Sequence, residues 1–218
     1  MYSFTEENYL KIIYHLSAVT DGEVSTNAVS EQTQTKAASV TDMLRKLADK
    51  NLIHYKKYQG VRLTDEGERI ALQVIRKHRL WEVFLVQQLG FGWDAVHHIA
   101  EQLEHVDSEE LIKKLDAFLG FPQFDPHGDP IPDPAGLMPK HLAQSRLCEV
   151  PIGKLVVMMG VSEHTPAFLQ HLAKTGLTLG CTLTVLEKNE FDKSLLISIN
   201  GETSLFLSHD VAKHLLVR

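Results

Sequence analysis

Apolar residues recur at helical spacing near the start of the chain. Tyr9, Ile12, Ile13 and Leu16 follow Ser3-Phe-Thr-Glu6, a capping-box pattern, and predict a first helix. Thr20-Asp-Gly-Glu23 reads as a turn. Two further helical stretches, Ser25–Glu31 and Thr35–Lys50, are separated by the polar Gln32-Thr-Gln34. The second keeps Val40, Leu44 and Leu47 inside, with Lys36, Ser39, Asp42, Arg45 and Lys46 partly outside. Two short helices with a tight polar connection match helix-turn-helix geometry. β-Branched and aromatic residues then gather in Leu52-Ile-His-Tyr-Lys-Lys-Tyr58 and Val61-Arg-Leu-Thr64, around Gln59-Gly60, and predict a short hairpin. Thr64-Asp-Glu-Gly67 opens another helix that meets no breaker before Gly90. Helix, helix-turn-helix, hairpin and helix, in that order, make a winged helix-turn-helix.

Gly90-Phe-Gly92 ends the long helix, and Trp93–His105 and Ser108–Leu119 predict two more. The Pro-rich stretch from Phe121 to Gly136 excludes helix and central strand, and leads into a linker. From Cys148 the texture changes. Short apolar runs (Lys154–Met159, Thr182–Leu186, Leu195–Ile199, Thr203–Leu207) alternate with turns, and one helical stretch, Thr165–Lys174, lies between the first two. Such spacing predicts a small barrel.

Composition changes this picture little. With 218 residues, 44% hydrophobic and 23% charged, the chain is an ordinary globular one, long enough for two or three small domains. No apolar run reaches the ~20 residues that span a bilayer, and the N-terminus lacks an export signal, so a cytoplasmic location is expected. Cys148 and Cys181 make neither a disulfide framework nor a metal knuckle.

Charge changes it more. The net charge of −6 conceals a basic block, Lys36 to Arg79, with eleven Lys/Arg against five acids. Residues 80–149 carry twelve acids against four bases, together with His97, His98, His105, His127 and His141. A basic block followed by an acidic, His-bearing one suggests two partners, a polyanion and a cation. For DNA, Lys36, Ala37, Ser39 and Asp42 at the start of the recognition helix are the candidates for the major groove. Arg45, Lys46, Lys56, Lys57 and Arg62 suit phosphates, which position a protein without specifying sequence. An ordinary solvated face is the alternative for Arg45 and Lys46.

On a helix over Trp93–His105, His97, Glu101, Glu104 and His105 share one side, and His78 and Glu82 form an i,i+4 pair on the preceding helix. Clustered imidazoles and carboxylates are costly if buried unpaired, and a divalent cation would neutralise them. A solvated acidic face with surface histidines is the alternative for either set alone. Hydrolases also use such sets, but the chain has no HExxH and no nucleophile beside a base at recognisable spacing, so no enzyme is expected. A winged-helix regulator responding to a small organic effector is the other alternative.

Several strings together resemble the diphtheria-toxin-repressor or iron-dependent-repressor family, of the manganese transport regulator type. They are Glu7-Asn-Tyr-Leu-Lys-Ile-Ile-Tyr14, Arg76-Lys-His-Arg-Leu80, Val96-His-His-Ile-Ala-Glu-Gln-Leu-Glu-His-Val106 and Asp125-Pro-His-Gly-Asp-Pro-Ile-Pro132. The resemblance implies an α+β, mainly α chain. Its winged helix-turn-helix would span residues 1–72, a helical metal-binding and dimerisation domain 73–136, a linker 137–147 and an SH3-like, FeoA-type domain 148–218. It implies a repressor of metal-ion uptake genes that binds operator DNA as a homodimer. Two metal sites per chain are implied. The primary would use Asn8, Glu101, Glu104 and His105, and the ancillary His78, Glu82 and His97, completed by the third domain near Glu163 and His164. Iron-type members carry Cys where this chain has Glu101 and usually Met where it has Asn8. The short manganese regulators carry Glu where it has Lys11, a cation that cannot bridge two metals. The remaining oxygen and imidazole donors are hard, so Mn(II) is expected first and Fe(II) next. Trp81, Phe84, Leu85, Phe91 and Trp93 are the candidates for the dimer contact.

Overall fold

A computed structural model describes residues 2–20, 22–56, 60–139 and 144–218. The chain divides into two compact units. One comprises Met1–His78, Glu101–Ile112 and Pro132–Met138, and the other Arg79–Ala100, Lys113–Ile131 and Pro139–Arg218.

In the first unit, α1 (Phe4–Ser17) starts on the expected capping box: Ser3 Oγ accepts from the Glu6 amide, and the Glu6 carboxylate accepts from the Ser3 amide. α2 (Thr26–Thr33) is capped by Ser25 and stops at Gln34, whose φ of 50° is left-handed. α3 (Ala37–Asp49) buries Val40, Leu44 and Leu47, as its spacing requires. β1 (Ile53–Lys56) and β2 (Gly60–Leu63) pair antiparallel, with Ile53 opposite Leu63. Val24 bridges Val61 from the other side of β2. The hairpin's turn, which includes Lys57, lies outside the described residues. α4 (Asp65–Gln87) begins where Thr64 Oγ1 accepts from the Gly67 amide. Leu10, Ile13, Leu44, Leu47 and Leu52 form the centre of one apolar core. Each such side chain contributes roughly 1.5–3 kcal/mol on burial.

α5 (Val96–Leu103) is shorter at both ends than the helix expected over Trp93–His105. The Ala95 amide donates to the Gly92 carbonyl at 3.0 Å in a turn before it, and Glu104 and His105 stand in a turn after it. α6 (Glu109–Phe118) opens on Ser108, whose hydroxyl accepts from the Leu111 amide.

The C-terminal part of the second unit holds β3 (Ser145–Arg146), β4 (Leu155–Val161), α7 (Pro166–Thr175), β5 (Thr182–Lys188), β6 (Leu195–Ile199), β7 (Thr203–Leu207), α8 (His209–Ala212) and β8 (Leu215–Val217). The strands pair antiparallel in the order β3-β8-β4-β5-β6-β7. This is the expected SH3-like sheet, open between β3 and β7 at its edges. Met158, Leu172, Leu183, Ile197 and Leu215 lie at its core.

The Pro-rich stretch of the second unit is an ordered loop. Asp125 Oδ1 accepts from the amides of His127 at 2.8 Å and Asp129 at 2.9 Å, and Phe124 bridges Pro130. The Val161 amide donates to the His127 carbonyl at 3.0 Å. Gly128 has φ +90°, and a Cβ there would lie 2.2 Å from the Met159 carbonyl oxygen. Only glycine fits both the conformation and the approach.

Candidate metal centres

Among the described residues, each unit gathers a cluster of imidazoles and carboxylates. In the first, α1 supplies Glu7 and Lys11, α4 supplies His78, and the turn after α5 supplies Glu104 and His105. Glu104 is fully buried. The Lys11 ammonium donates to its Oε1 at 2.5 Å, and His78 Nδ1 lies 2.6 Å from its Oε2. His105 Nδ1 lies 2.6 Å from Glu7 Oε2, its Nε2 stands 3.7 Å from Glu104 Oε1, and Phe4 stacks on its ring. Burial pushes the Glu104 carboxyl up, but His78 and Lys11 outweigh it and hold the group below the usual carboxylate range.

Of the expected primary ligands, the cluster contains Glu104 and His105. Asn8 is half-buried on α1 and Glu101 is exposed on α5. Glu7 and Lys11 are the cluster members that ligand spacing did not select. Phe4, Glu7 and Lys11 recur at intervals of three and four, and that one-face spacing is the signal that could have found them.

In the second unit, Glu82 from α4 meets two residues of the Pro-rich loop. One ligand atom each of Glu82, Asp125 and His127 lie within 4.8 Å of one another, and all three residues are buried. His97 Nδ1 lies 3.4 Å from Glu82 Oε1 and remains 60% exposed. His127 Nε2 lies 2.8 Å from the Trp93 carbonyl, which leaves Nδ1 3.7 Å from Glu82 Oε2. His164 packs edge-on against His127 and stands 3.7 Å from Asp129. Glu163 turns instead to the start of α7, where it accepts from the Thr165 amide at 2.8 Å. Arg79 donates to the Pro130 carbonyl and lies 3.5 Å from Asp129 and 3.7 Å from Asp125.

The electrostatics of this cluster fit a cation. Burial, with Asp129 and Glu82, pushes the Asp125 carboxyl far up, against the pull of Arg79 and His127. Burial pulls His127 down, but Glu82 and Asp125 outweigh it and raise the imidazole. The group is thus short of positive charge, and a proton or a metal ion satisfies it. Burial lowers His164, which favours the neutral imidazole that a ligand must present. Asp125 and His127 were not selected from the sequence as ligands. The His127 amide bonds within the turn, to Asp125 Oδ1, while its side chain lies beside Glu82. Four ionisable residues, Asp125, His127, Asp129 and Asp133, inside a proline-rich stretch are the available signal.

On the candidate DNA face, Lys36, Ala37 and Ser39 are exposed at the start of α3. Arg45 lies 3.4 Å from Asp42, and Arg62 3.3 Å from Glu23. Lys46 pairs with the buried Glu6 at 3.0 Å, beside Lys50 at 2.7 Å. Lys56 is exposed on β1.

A winged helix-turn-helix followed by a helical segment with clustered metal-type donors defines a metal-dependent DNA-binding regulator. Residues 1–61 match the iron dependent repressor N-terminal DNA binding domain. Residues 64–133 match the iron dependent repressor metal binding and dimerisation domain, and 145–218 the FeoA domain. The chain is 30% identical over 220 residues to the iron-dependent repressor IdeR of Mycobacterium leprae, across 95% of this chain and 94% of that one. Among solved structures, it resembles a manganese-dependent transcriptional repressor in complex with manganese, at 35% identity and a TM-score of 0.81, covering 97% and 98% of the two chains. ScaR with bound Cd2+ shares 31% identity over 98% of each chain, with a TM-score of 0.75. The chain belongs to the iron-dependent repressor family, whose members are metal-dependent transcriptional repressors and not enzymes.

Proposed function

We propose that this chain binds operator DNA as a homodimer when loaded with Mn(II), or with Fe(II) as the second choice, and represses genes for metal-ion uptake in the cytoplasm. The observation that carries the metal reading is the buried meeting of Glu82, Asp125 and His127. These three would hold the ion, with His97 and His164 beside them as the nearest further imidazoles. The ancillary set expected from the sequence also includes His78, one helical turn before Glu82 on α4. Of the proposed primary set, Asn8, Glu101, Glu104 and His105, the last two lie in the first-unit cluster, and Asn8 and Glu101 would have to join them. The manganese and the Cd2+ bound by related repressors support a divalent-metal site, and two positions per chain are our proposal.

When bound, the ion supplies positive charge that the buried carboxylates lack. Glu82 and Asp125 offer hard oxygens and His127 an imidazole, a set suited to Mn(II) and Fe(II) and lacking the thiolate that would favour softer ions. Asp125 is oriented by its two backbone donors, and His127 by the Trp93 carbonyl. Metal favours DNA binding only so far as it binds the DNA-competent state better, and a coupling of about 1–3 kcal/mol is typical. On the DNA side, Lys36, Ala37, Ser39 and Asp42 would read the major groove. Arg45, Lys46, Lys56, Lys57 and Arg62 would contact phosphates. A dimer would set two recognition helices against the ~34 Å repeat of the duplex. Phe84, which meets Trp81 and the 64% exposed Phe118, supplies an aromatic surface for that dimer.

Anomalous diffraction at the manganese edge tests the reading. A peak among Glu82, Asp125 and His127 is expected. Crystals grown in Mn(II) with no anomalous density there would overturn it.

A further inference from the structure

The first-unit cluster already contains a cation. Glu104 is buried with both oxygens engaged, Oε1 by the Lys11 ammonium at 2.5 Å and Oε2 by His78 Nδ1 at 2.6 Å. The Lys11 side chain is only 13% exposed, so its charge is largely withdrawn from water and directed at one carboxylate. Glu7, one helical turn earlier on α1, holds His105 at 2.6 Å. Two polar contacts made wholly of protein atoms therefore fasten α1 to the turn after α5. A divalent ion on Glu104 Oε1 would stand beside the ammonium, and like charges at that separation repel strongly where water is excluded. The residues as arranged fit a lysine in place of an ion at this position.

We infer that Lys11 is a tethered cation that latches α1 to Glu104 without metal, and that a divalent ion enters this cluster only by displacing it. The inference rests on the metal-dependent reading above and adds a division of labour. The Glu82 cluster takes metal at low concentration, whereas the Glu104 cluster is a high-threshold position guarded by the protein's own ammonium. Lys11 is then a residue that sets metal affinity without being a ligand.

Mn(II) binding to the full-length protein, followed by the EPR signal of the free ion, tests this. Lys11→Gln should tighten one Mn(II) per chain by about tenfold or more, within the range of direct pair couplings. Lys11→Arg should retain the wild-type isotherm. Glu104→Gln added to Lys11→Gln should abolish the gain. Superimposable isotherms for wild type and Lys11→Gln would overturn the inference, as would a gain that survives Glu104→Gln. Thermal melts give a second readout. Without metal, Lys11→Gln should melt below wild type, and saturating Mn(II) should raise its melting temperature more than that of wild type. A Lys11→Gln protein that stays unfolded in saturating Mn(II) also contradicts it, because the ion then cannot take over the latch. Loss of the tighter Mn(II) site in wild type would sink the Glu82 reading instead, and the gain on removing Lys11 is measured independently of it.

Discussion

His105 Nδ1 lies 2.6 Å from Glu7 Oε2, although 98 positions separate them in the chain. The contact joins the first turn of α1, which leads into the reading head, to the turn in which α5 has just ended. Phe4 stacks on the same imidazole with ring centroids 4.6 Å apart. Glu7→Ala removes the acceptor and leaves a buried imidazole beside it. The metal-free protein should lose about 1–3 kcal/mol of stability. Urea unfolding checks this, and an unchanged midpoint would show that the contact contributes nothing.

In the second unit, Asp125→Asn keeps the shape of the loop's hydrogen-bonded turn while removing the charge. Mn(II) affinity should fall by about 10–100-fold, the range seen when groups that organise a metal site are altered. Glu82→Gln should do at least as much, since Glu82 also meets His97 and His127. Calorimetric titration with Mn(II) is the check. Wild-type affinity in both variants would remove Asp125 and Glu82 from the site.

Gly128→Ala places a methyl group against the Met159 carbonyl at a φ of +90°. Both the backbone and the contact oppose it, and a loss of about 2 kcal/mol or more is expected. The loop that carries Asp125 and His127 must shift to relieve the clash. Mn(II) affinity should therefore fall together with the melting temperature. A variant with wild-type stability and metal binding would show that the loop is not held where the structure has it.

Glu6 is 1% exposed and pairs with Lys50 and Lys46. Burial raises its pKa, but Lys50, the Ser3 amide and Lys46 outweigh it and hold the carboxyl at about 2, against 4.5 for the free group. A depressed folded-state pKa means stabilisation that is complete above about pH 4.5 and lost as the pH falls toward 2. Glu6→Gln should cost roughly 1–3 kcal/mol at neutral pH. The difference from wild type should shrink on acidification through that window. A constant difference across the window would contradict the ion-pair account.

Phosphate contacts by the exposed basic residues have a separate signature. Lys56→Ala should weaken binding to all duplexes alike and reduce the log–log salt slope by about 1. A slope equal to wild type would place Lys56 off the DNA.

Much of the fold could be read from local signals. Ser3 and Glu6 form the expected capping box, and α3 buries the three residues its periodicity singled out. The runs at Leu195–Ile199 and Thr203–Leu207 are strands with those bounds. β3 and β8, of two and three residues, are too short to show an alternating pattern. The end of α5 was misplaced for a different reason. Apolar periodicity continues through Leu103 to Val106, but the chain turns at Glu104 and His105, whose side chains meet Lys11, His78 and Glu7 from distant segments. Spacing along one helix could therefore name Glu104 and His105, but not their partners. The Pro-rich stretch was the least informative. Proline density correctly excluded helix and central strand, but composition does not show that backbone hydrogen bonds hold the stretch as a loop. Asp125 and His127 reach Glu82 through that loop, and only tertiary contacts reveal it.

The most direct test is selection of duplexes from a random-sequence pool by the purified protein, once with Mn(II) and once with a chelator. If a divalent ion held by Glu82, Asp125 and His127 controls the reading head, one sequence family with two related half-sites should emerge only with Mn(II), and Glu82→Gln should fail to recover it. Equal enrichment of the same duplexes in chelator, or by Glu82→Gln, would contradict the account.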